Sequence, residues 1–193
     1  MDLTDKATVA KLINECNNGN RKSQQILYKT FYGKMLVVCT RYTGDRDEAK
    51  DILHDGFIKV FNKLDSFKNE GSLEGWVRRI MVNSAIDYVR RKREILYAVA
   101  DDYTLEKALH EAERDDSELF LKAKAEIILN MIQKLSPAYR TVFNLYVIEN
   151  YTHKEIAEKL DINIGTSKSN LAKAKMKLRE FYNEYIDKHE EHR

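Results

Sequence analysis

The chain has 193 residues, of which 43% are hydrophobic and 33% are charged, and its formal net charge is +2. No segment approaches the roughly 20 consecutive apolar residues that span a bilayer, and the N-terminal residues lack the apolar stretch of a secretory signal. We therefore expect a soluble, cytoplasmic protein without membrane insertion. One proline and seven glycines favour helix, and no stretch is a convincing strand, so we predict an all-α fold.

Four amphipathic helices are predicted in the first half of the chain. Apolar residues recur at helical spacing over residues 9–16, 27–42 and 49–64. A polar loop is predicted over 65–75, and a fourth helix follows it with apolar residues over 77–88. The third helix has the most regular pattern, so one of its faces must pack against its neighbours.

The cysteines and histidines give little indication of a metal site. Cys16 and Cys39 fall on the apolar sides of helical patterns, and a disulfide framework or a zinc site would need more ligands at closer spacing. We interpret both as core residues. The one cluster of possible ligands is Asp51, His54 and Asp55, which a metal-dependent phosphohydrolase could use. Otherwise we expect no metal, no cofactor and no catalytic residue.

The charge of the chain is unevenly distributed. Between Trp76 and Arg93 there are six basic residues and one acidic residue, Asp87. Tyr97–Glu118 contains eight acidic and two basic residues, with little apolar periodicity. We interpret residues 96–120 as a flexible acidic linker. The near-neutral total therefore conceals two basic domains joined by an acidic tether.

Two helices are predicted between the linker and residue 151. The first covers residues 123–135. The second starts at Pro137, with Ser136 placed as its cap and proline in its first position. Its buried face is predicted to consist of Val142, Phe143 and Tyr146.

Residues 151–179 have the pattern of a helix-turn-helix. Thr152 and Glu155 have the spacing of a capping box at the start of the first helix. Apolar residues then recur up to Leu160, and residues 161–164 interrupt the pattern before a second helix begins. This is the pattern with which a chain places a helix in the major groove of DNA.

The second helix of this motif is basic on its outer face. Residues 166–179 include four lysines, one arginine and no acidic residue. One face is apolar, with Leu171, Ala174 and Leu178. The opposite face consists of Lys168, Ser169, Ala172, Lys173 and Met176. A solvated cationic helix would have a similar charge, but the turn and the capping box together favour DNA binding.

Two blocks of the sequence resemble a known family. Residues 47–93, which begin DEAKDILHDGFIKVF, resemble region 2 of bacterial sigma factors, and residues 137–179 resemble region 4. Their order and the short linker are similar to those of the extracytoplasmic-function (ECF) group of the sigma-70 family. The resemblance implies two small helical domains, region 2 over 1–95 and region 4 over 121–185, followed by a charged tail over 186–193.

The resemblance implies an initiation factor and not an enzyme. Such a protein binds the core of bacterial RNA polymerase, directs it to specific promoters and helps to open the duplex. The third helix would dock on the polymerase through its polar face, which consists of Asp47, Glu48, Asp51, His54, Asp55 and Lys59. This role is a simpler explanation of the Asp51, His54 and Asp55 cluster than a metal site.

The resemblance also implies two contacts with promoter DNA. The loop and the fourth helix would bind the minus-10 element as a single strand through Phe67, Lys68, Ser72, Arg79, Asn83, Arg90 and Arg91. The helix-turn-helix would bind the minus-35 element as duplex through Thr166, Lys168, Ser169, Ala172 and Lys173. For Asn83 a buried structural amide is an equal alternative, and Trp76 could either wedge between bases or pack in the core.

Two positions depart from the pattern of the family. Relatives commonly have glycine where Asp161 lies and an apolar residue where Ser167 lies. Aspartate tolerates the left-handed conformation that the turn needs, whereas we expect serine to weaken packing beneath the recognition helix.

A restraining partner, a role for the linker and two alternative functions are also expected or left open. The resemblance implies that an anti-sigma protein restrains the factor. The charge of the linker suggests that it lies in the polymerase channel that later holds RNA, although a tether that merely avoids the basic domains has the same charge. A helix-turn-helix regulator that acts without core polymerase and a phosphohydrolase remain alternatives.

Overall fold

The computed structural model describes residues 5–98 and 118–190, which form eight α-helices and no strand. The helices are α1 (Lys6–Asn17), α2 (Arg21–Thr40), α3 (Arg46–Lys63), α4 (Leu73–Ala98), α5 (Glu118–Gln133), α6 (Pro137–Phe143), α7 (His153–Leu160) and α8 (Ile164–Glu190). The predicted all-α fold is confirmed.

The chain divides into two compact units, Met1–Tyr88 and Val89–Arg193, here called the N-terminal and C-terminal units. The division falls within α4. Most of the predicted linker over 96–120 lies outside the described residues. The two hypotheses about its role concern the same residues.

Side-chain caps set where the first three helices begin. Asp5 accepts hydrogen bonds from the amides of Ala7 and Thr8, Asn20 caps α2 in the same way, and Asp45 accepts from the amide of Asp47. Each cap satisfies amide groups that have no partner inside the helix. The short polar turns between apolar runs therefore become helix boundaries.

The core of the N-terminal unit follows the predicted periodicity. Helix α2 packs against α1 and α3, and the predicted apolar positions of the three helices are buried, except Phe61, which is half-buried. Cys16 and Cys39 are free thiols within this core, as predicted. Burial raises the pKa of the Cys39 thiol to about 12, so the reactive thiolate is suppressed.

The loop before α4 is shorter than the prediction of 65–75. A 3-10 turn extends the end of α3 over Leu64–Ser66, and α4 already begins at Leu73. The reason is local, since the Ser72 hydroxyl accepts a hydrogen bond from the amide of Gly75 at 3.0 Å. Leu73 is fully buried and extends the apolar face of α4 by one turn.

The C-terminal unit is organised around α8, which packs against α5, α6 and α7. Its four helices match the predicted number, although Ser136 makes no side-chain capping bond. Helix α8 continues to Glu190, through most of the predicted charged tail. A hydrogen-bonded ion pair at 2.7 Å between Lys177 and Glu180 is of the kind that stabilises an exposed helix.

The prediction that Tyr146 is buried is wrong. After α6 the chain forms a single π-helical segment, Asn144–Ile148. The wider turn changes the register, so Asn144 and Leu145 face inwards and Tyr146 is 37% exposed. A pattern of 3.6 residues per turn cannot anticipate this shift.

Gly56 of α3 allows close contact with α4, because a methyl group at this position would overlap the sulfur of the fully buried Met81. We expect Gly56→Ala to lower the free energy of unfolding by about 1–2 kcal/mol, since the cost of overpacking exceeds the gain in helix propensity. The fluorescence of Trp76, the one tryptophan in the sequence, reports unfolding of this unit in urea.

Gly33→Ala is the matched control. Gly33 lies on the exposed side of α2 with no heavy atom within 4 Å of the position of an added methyl group. This change should raise the free energy of unfolding by up to about 1 kcal/mol. Equal effects of the two substitutions would contradict close packing at Gly56.

Candidate nucleic-acid interface

The loop between the 3-10 turn and α4 is held at several points. Asn69 has a positive φ of 55°, and its side-chain amide donates to the backbone oxygen of Lys6 at 3.2 Å. The ring of Phe67 meets that of Trp76 edge to face, with centroids 5.6 Å apart. The loop is therefore fixed to α1 at its centre and to α4 at its start.

The predicted minus-10 residues lie on this loop and along one helix. Five of them are exposed: Lys68, Ser72, Arg79, Arg90 and Arg91. Phe67 and Asn83 are half-buried. Trp76 is also half-buried and contacts Phe67, so packing explains at least part of its role. The anchoring residue Asn69 was not identified from the sequence.

The single acidic residue in the basic segment 76–93 is neutralised locally. Asp87 forms an ion pair with Lys59 of α3 at 3.0 Å. This pair joins α3 to α4 and offsets the one negative charge within segment 76–93. It also means that Lys59, predicted to bind polymerase, points towards α4.

The other predicted polymerase-binding residues follow one stripe of α3. Asp47, Asp51, His54 and Asp55 are exposed on it. Glu48 is half-buried and accepts a hydrogen bond from Tyr88. Burial first, and then the Glu48 carboxylate, raise the pKa of that tyrosine.

The stripe also contains an apolar residue that the sequence interpretation missed. Ile58 is 47% exposed and lies one turn beyond His54. Its position four residues after His54 could have shown that it shares this face. No group of three or more His, Cys, Asp or Glu side chains that could hold a metal occurs in the described parts of the chain.

The helix-turn-helix has the predicted local geometry. The Thr152 hydroxyl accepts from the amide of Glu155 at 3.3 Å, and the Glu155 carboxylate accepts from the amide of Thr152 at 2.8 Å. Asp161 adopts the left-handed conformation with φ 51° and ψ 56°. The capping box and the tolerance of the turn for aspartate are both confirmed.

The predicted minus-35 residues are all exposed on α8: Thr166, Lys168, Ser169, Ala172 and Lys173. The opposite face is buried through Ser167, Leu171 and Ala174. By helical geometry Ser169, Ala172 and Met176 form the centre of the exposed face, and Lys168 and Lys173 lie on its two flanks. Met176 is 53% exposed and was not assigned a role from the sequence.

Contacts at the flanks hold the two lysines differently. The Lys173 ammonium lies over the ring of Tyr139 of α6, 6.0 Å from its centroid. Lys168 lies on the side of α7, where it and Lys175 affect His153, the first residue of α7. Burial, Lys168 and Lys175, in that order, lower the pKa of His153 below its usual value of 6.5.

Models of two sigma-factor regions match the sequence of the chain. Sigma-70 region 2 matches residues 27–95, and sigma-70 region 4 matches residues 125–178, so that together they cover more than half of the chain. The chain belongs to the sigma-70 family, in its ECF group. The resemblance of residues 47–93 and 137–179 to these regions is confirmed.

Similar proteins cover almost the whole chain. The ECF RNA polymerase sigma-E factor of Haemophilus influenzae is 26% identical over 179 residues, which are 90% of this chain and 92% of the relative. The sigma-E factor of Escherichia coli K12 is 24% identical over 90% of this chain and 93% of its own.

A solved structure shows the same fold. The sigma factor RpoE of Bartonella quintana, crystallised with the anti-sigma factor NepR, has a TM-score of 0.53 and 19% identity. The match covers 82% of the present chain and 96% of the RpoE chain.

Among the described helices of the present chain, none is both long and apolar enough to cross a membrane.

The environment of His153 generates a prediction about pH. The pKa of His153 is lower in the folded chain than in the unfolded chain. At a pH between these two pKa values, the unfolded chain therefore binds more protons than the folded chain. The free energy of unfolding of the C-terminal unit should therefore fall as the pH decreases through the usual histidine range. Titration of the His153 ring by NMR checks this, with His153→Asn identifying its signal.

Lys175→Gln and Lys173→Gln form a matched pair for this titration. Lys175→Gln should raise the pKa of His153, because it removes a nearby positive charge. Lys173→Gln makes the same change of net charge on α8 but is not among the causes of the shift, so it should leave the midpoint in place. Equal shifts in both variants would contradict the local explanation.

Proposed function

We propose that this sigma factor binds the core of bacterial RNA polymerase, directs it to specific promoters and assists the opening of DNA, in the cytoplasm and without catalysing a reaction. The observation that carries the proposal is the match of both regions, 2 and 4, in one chain. Each region presents an exposed basic helix, and a single polyanion can be bound at two points in this way. The same helix-turn-helix in a regulator without core polymerase would not require a region 2.

The stripe of α3 is suited to docking on a protein surface. Ile58 supplies an apolar anchor, and the polar residues Asp51, His54 and Asp55 lie on the two turns of α3 that precede it. An apolar centre with a polar rim is typical of interfaces in which few residues supply most of the binding energy. We propose that Asp47 and Glu48 extend this surface, with Lys59 at its border.

The loop and α4 are suited to a single strand of DNA. We propose that the loop residues Phe67, Lys68 and Ser72 bind an unstacked base of the minus-10 element, with Asn83 nearby. Arg79, Arg90 and Arg91 then bind phosphates along the helix, which fixes the strand without reading its sequence. The anchors at Asn69 and Trp76 support this role, because a preformed loop loses less conformational entropy on binding.

The exposed face of α8 suggests how the minus-35 duplex is read. Lysines on both flanks can bind the phosphates on either side of the major groove, with Thr166 at the helix start beside a phosphate. The centre offers the Ser169 hydroxyl and the apolar groups of Ala172 and Met176. Such groups favour contact with the methyl group of thymine.

A restraining partner is part of the proposal. The similar RpoE structure contains an anti-sigma factor, and we propose that a protein of this kind also binds the present sigma factor.

Substitutions on α3 test docking on the polymerase. Asp51→Lys and Ile58→Ala should each weaken binding to purified core polymerase, measured by fluorescence anisotropy, by about 10-fold, because the few residues that anchor an interface each cost more than 1 kcal/mol when they are lost. Asp187→Lys, at an exposed position of α8, is the control and should bind as the wild type does. Unchanged binding in both α3 variants would contradict docking through this stripe.

Lys168→Gln tests the phosphate contact on α8. The substitution should weaken binding to specific and random duplexes by a similar factor and reduce the slope of log K against log salt concentration by about 1. Lys177→Gln is the control, since Lys177 is paired with Glu180 at 2.7 Å. A variant that keeps the full salt slope, or that loses only specific binding, would exclude a phosphate role for Lys168.

A further inference from the structure

A polar pair lies between the two helices of the helix-turn-helix. The side chain of Ser167 on α8 is 0% exposed, and its hydroxyl is 2.9 Å from Nδ1 of His153 on α7. The ring of His153 is stacked on that of Tyr146, with centroids 4.4 Å apart and an interplanar angle of 25°. Three consecutive elements of the C-terminal unit therefore meet at this ring.

The hydrogen bond explains how serine is accommodated beneath the recognition helix. A buried hydroxyl costs about 1–3 kcal/mol unless it is hydrogen-bonded, and Nδ1 of His153 supplies the partner. The expectation that Ser167 merely weakens packing is therefore incomplete. Apolar packing tolerates small shifts of one helix along the other, whereas a hydrogen bond loses strength when distance or angle changes.

The pair lies where a shift would move the DNA-binding face. Ser167 is flanked in the chain by Thr166 and Lys168, and the exposed Ser169 lies half a turn further along α8. On the other side, His153 directly follows Thr152 of the capping box, so its backbone is fixed at the start of α7. The bond thus links a rigid helix start to the first turn of the recognition helix.

We propose that His153 is a positioning residue for minus-35 recognition, which acts through Ser167 to fix the recognition helix against α7. The inference rests on the proposed function, because it assigns a role within the same DNA-binding site. Tyr146, in the π-helical segment Asn144–Ile148, stacks on the imidazole and supports its orientation.

Five full-length variants separate this role from simple stability. His153→Ala and Ser167→Ala remove the bond. His153→Asn retains a polar atom close to the position of Nδ1, whereas the amide of His153→Gln reaches instead towards the position of Nε2. Tyr146→Phe retains the stacked ring and serves as a control.

The first experiment measures the ratio of affinities for two duplexes at pH 7.5. One contains the minus-35 segment of a promoter found by mapping transcription starts, and the other has that segment scrambled. His153→Ala and Ser167→Ala should each lower the ratio by about 5- to 10-fold, the equivalent of one hydrogen bond. His153→Asn should restore most of it and His153→Gln should not, while Tyr146→Phe keeps the wild-type ratio.

The outcomes are distinct. A general loss of folded protein would lower both affinities and leave their ratio unchanged, which would overturn the positioning role. A fall in the salt slope by about 1 in His153→Ala would identify a direct phosphate contact and also overturn it. Wild-type protein that binds both duplexes equally would instead overturn the proposed function, and the inference with it.

A second experiment requires no DNA. The pair predicts that the effects of His153→Ala and Ser167→Ala on unfolding in urea are not additive in the double variant. Ser167→Ala should also change the ¹⁵N chemical shift of Nδ1 in His153. Additive effects together with an unchanged shift would show that the hydrogen bond does not form in solution.

Discussion

The structure depends on the division of each short helix into a face that must be buried and a face that stays free for a partner. Neither unit is large, so most apolar positions of α1, α2, α3, α7 and the start of α8 are used in a core. The remaining faces are mainly polar, with a few exposed apolar side chains such as Ile58 and Met176. The exposed stripe of α3 and the basic faces of α4 and α8 are therefore direct consequences of how the cores are packed.

Much of this could be predicted from the sequence because its signals are local. The 3.6-residue period identified the buried faces of α1, α2 and α3, and the spacing of Thr152 and Glu155 identified the start of α7. The left-handed turn at Asp161 follows from the short side chain of aspartate. These features depend on residues a few positions apart, which a single sequence displays.

The features that could not be predicted depend on contacts between distant residues or on a change of helical register. The π-helical segment exposes Tyr146, and no pattern in Asn144–Ile148 indicates it. The pairs Lys59 with Asp87 and His153 with Ser167 join residues on different helices. These contacts exist only when the helices are packed. The sequence alone therefore did not predict the partners of Lys59 and Ser167.

The two surfaces proposed to bind DNA both combine exposed cations with smaller groups that can distinguish bases. On α8 the lysines lie on either side of Ser169 and Met176, and on α4 the arginines extend beyond a loop fixed by Asn69. In the proposed function, affinity for the phosphate backbone and selectivity for sequence therefore come from different residues.

The most direct test of the central claim is to add the purified sigma factor to bacterial core polymerase, transcribe genomic DNA in vitro and sequence the 5′ ends of the transcripts. We expect new start sites, absent with core polymerase alone, that share two sequence elements upstream at a constant spacing. Transcripts with the same start sites as those of core polymerase alone would contradict the central claim.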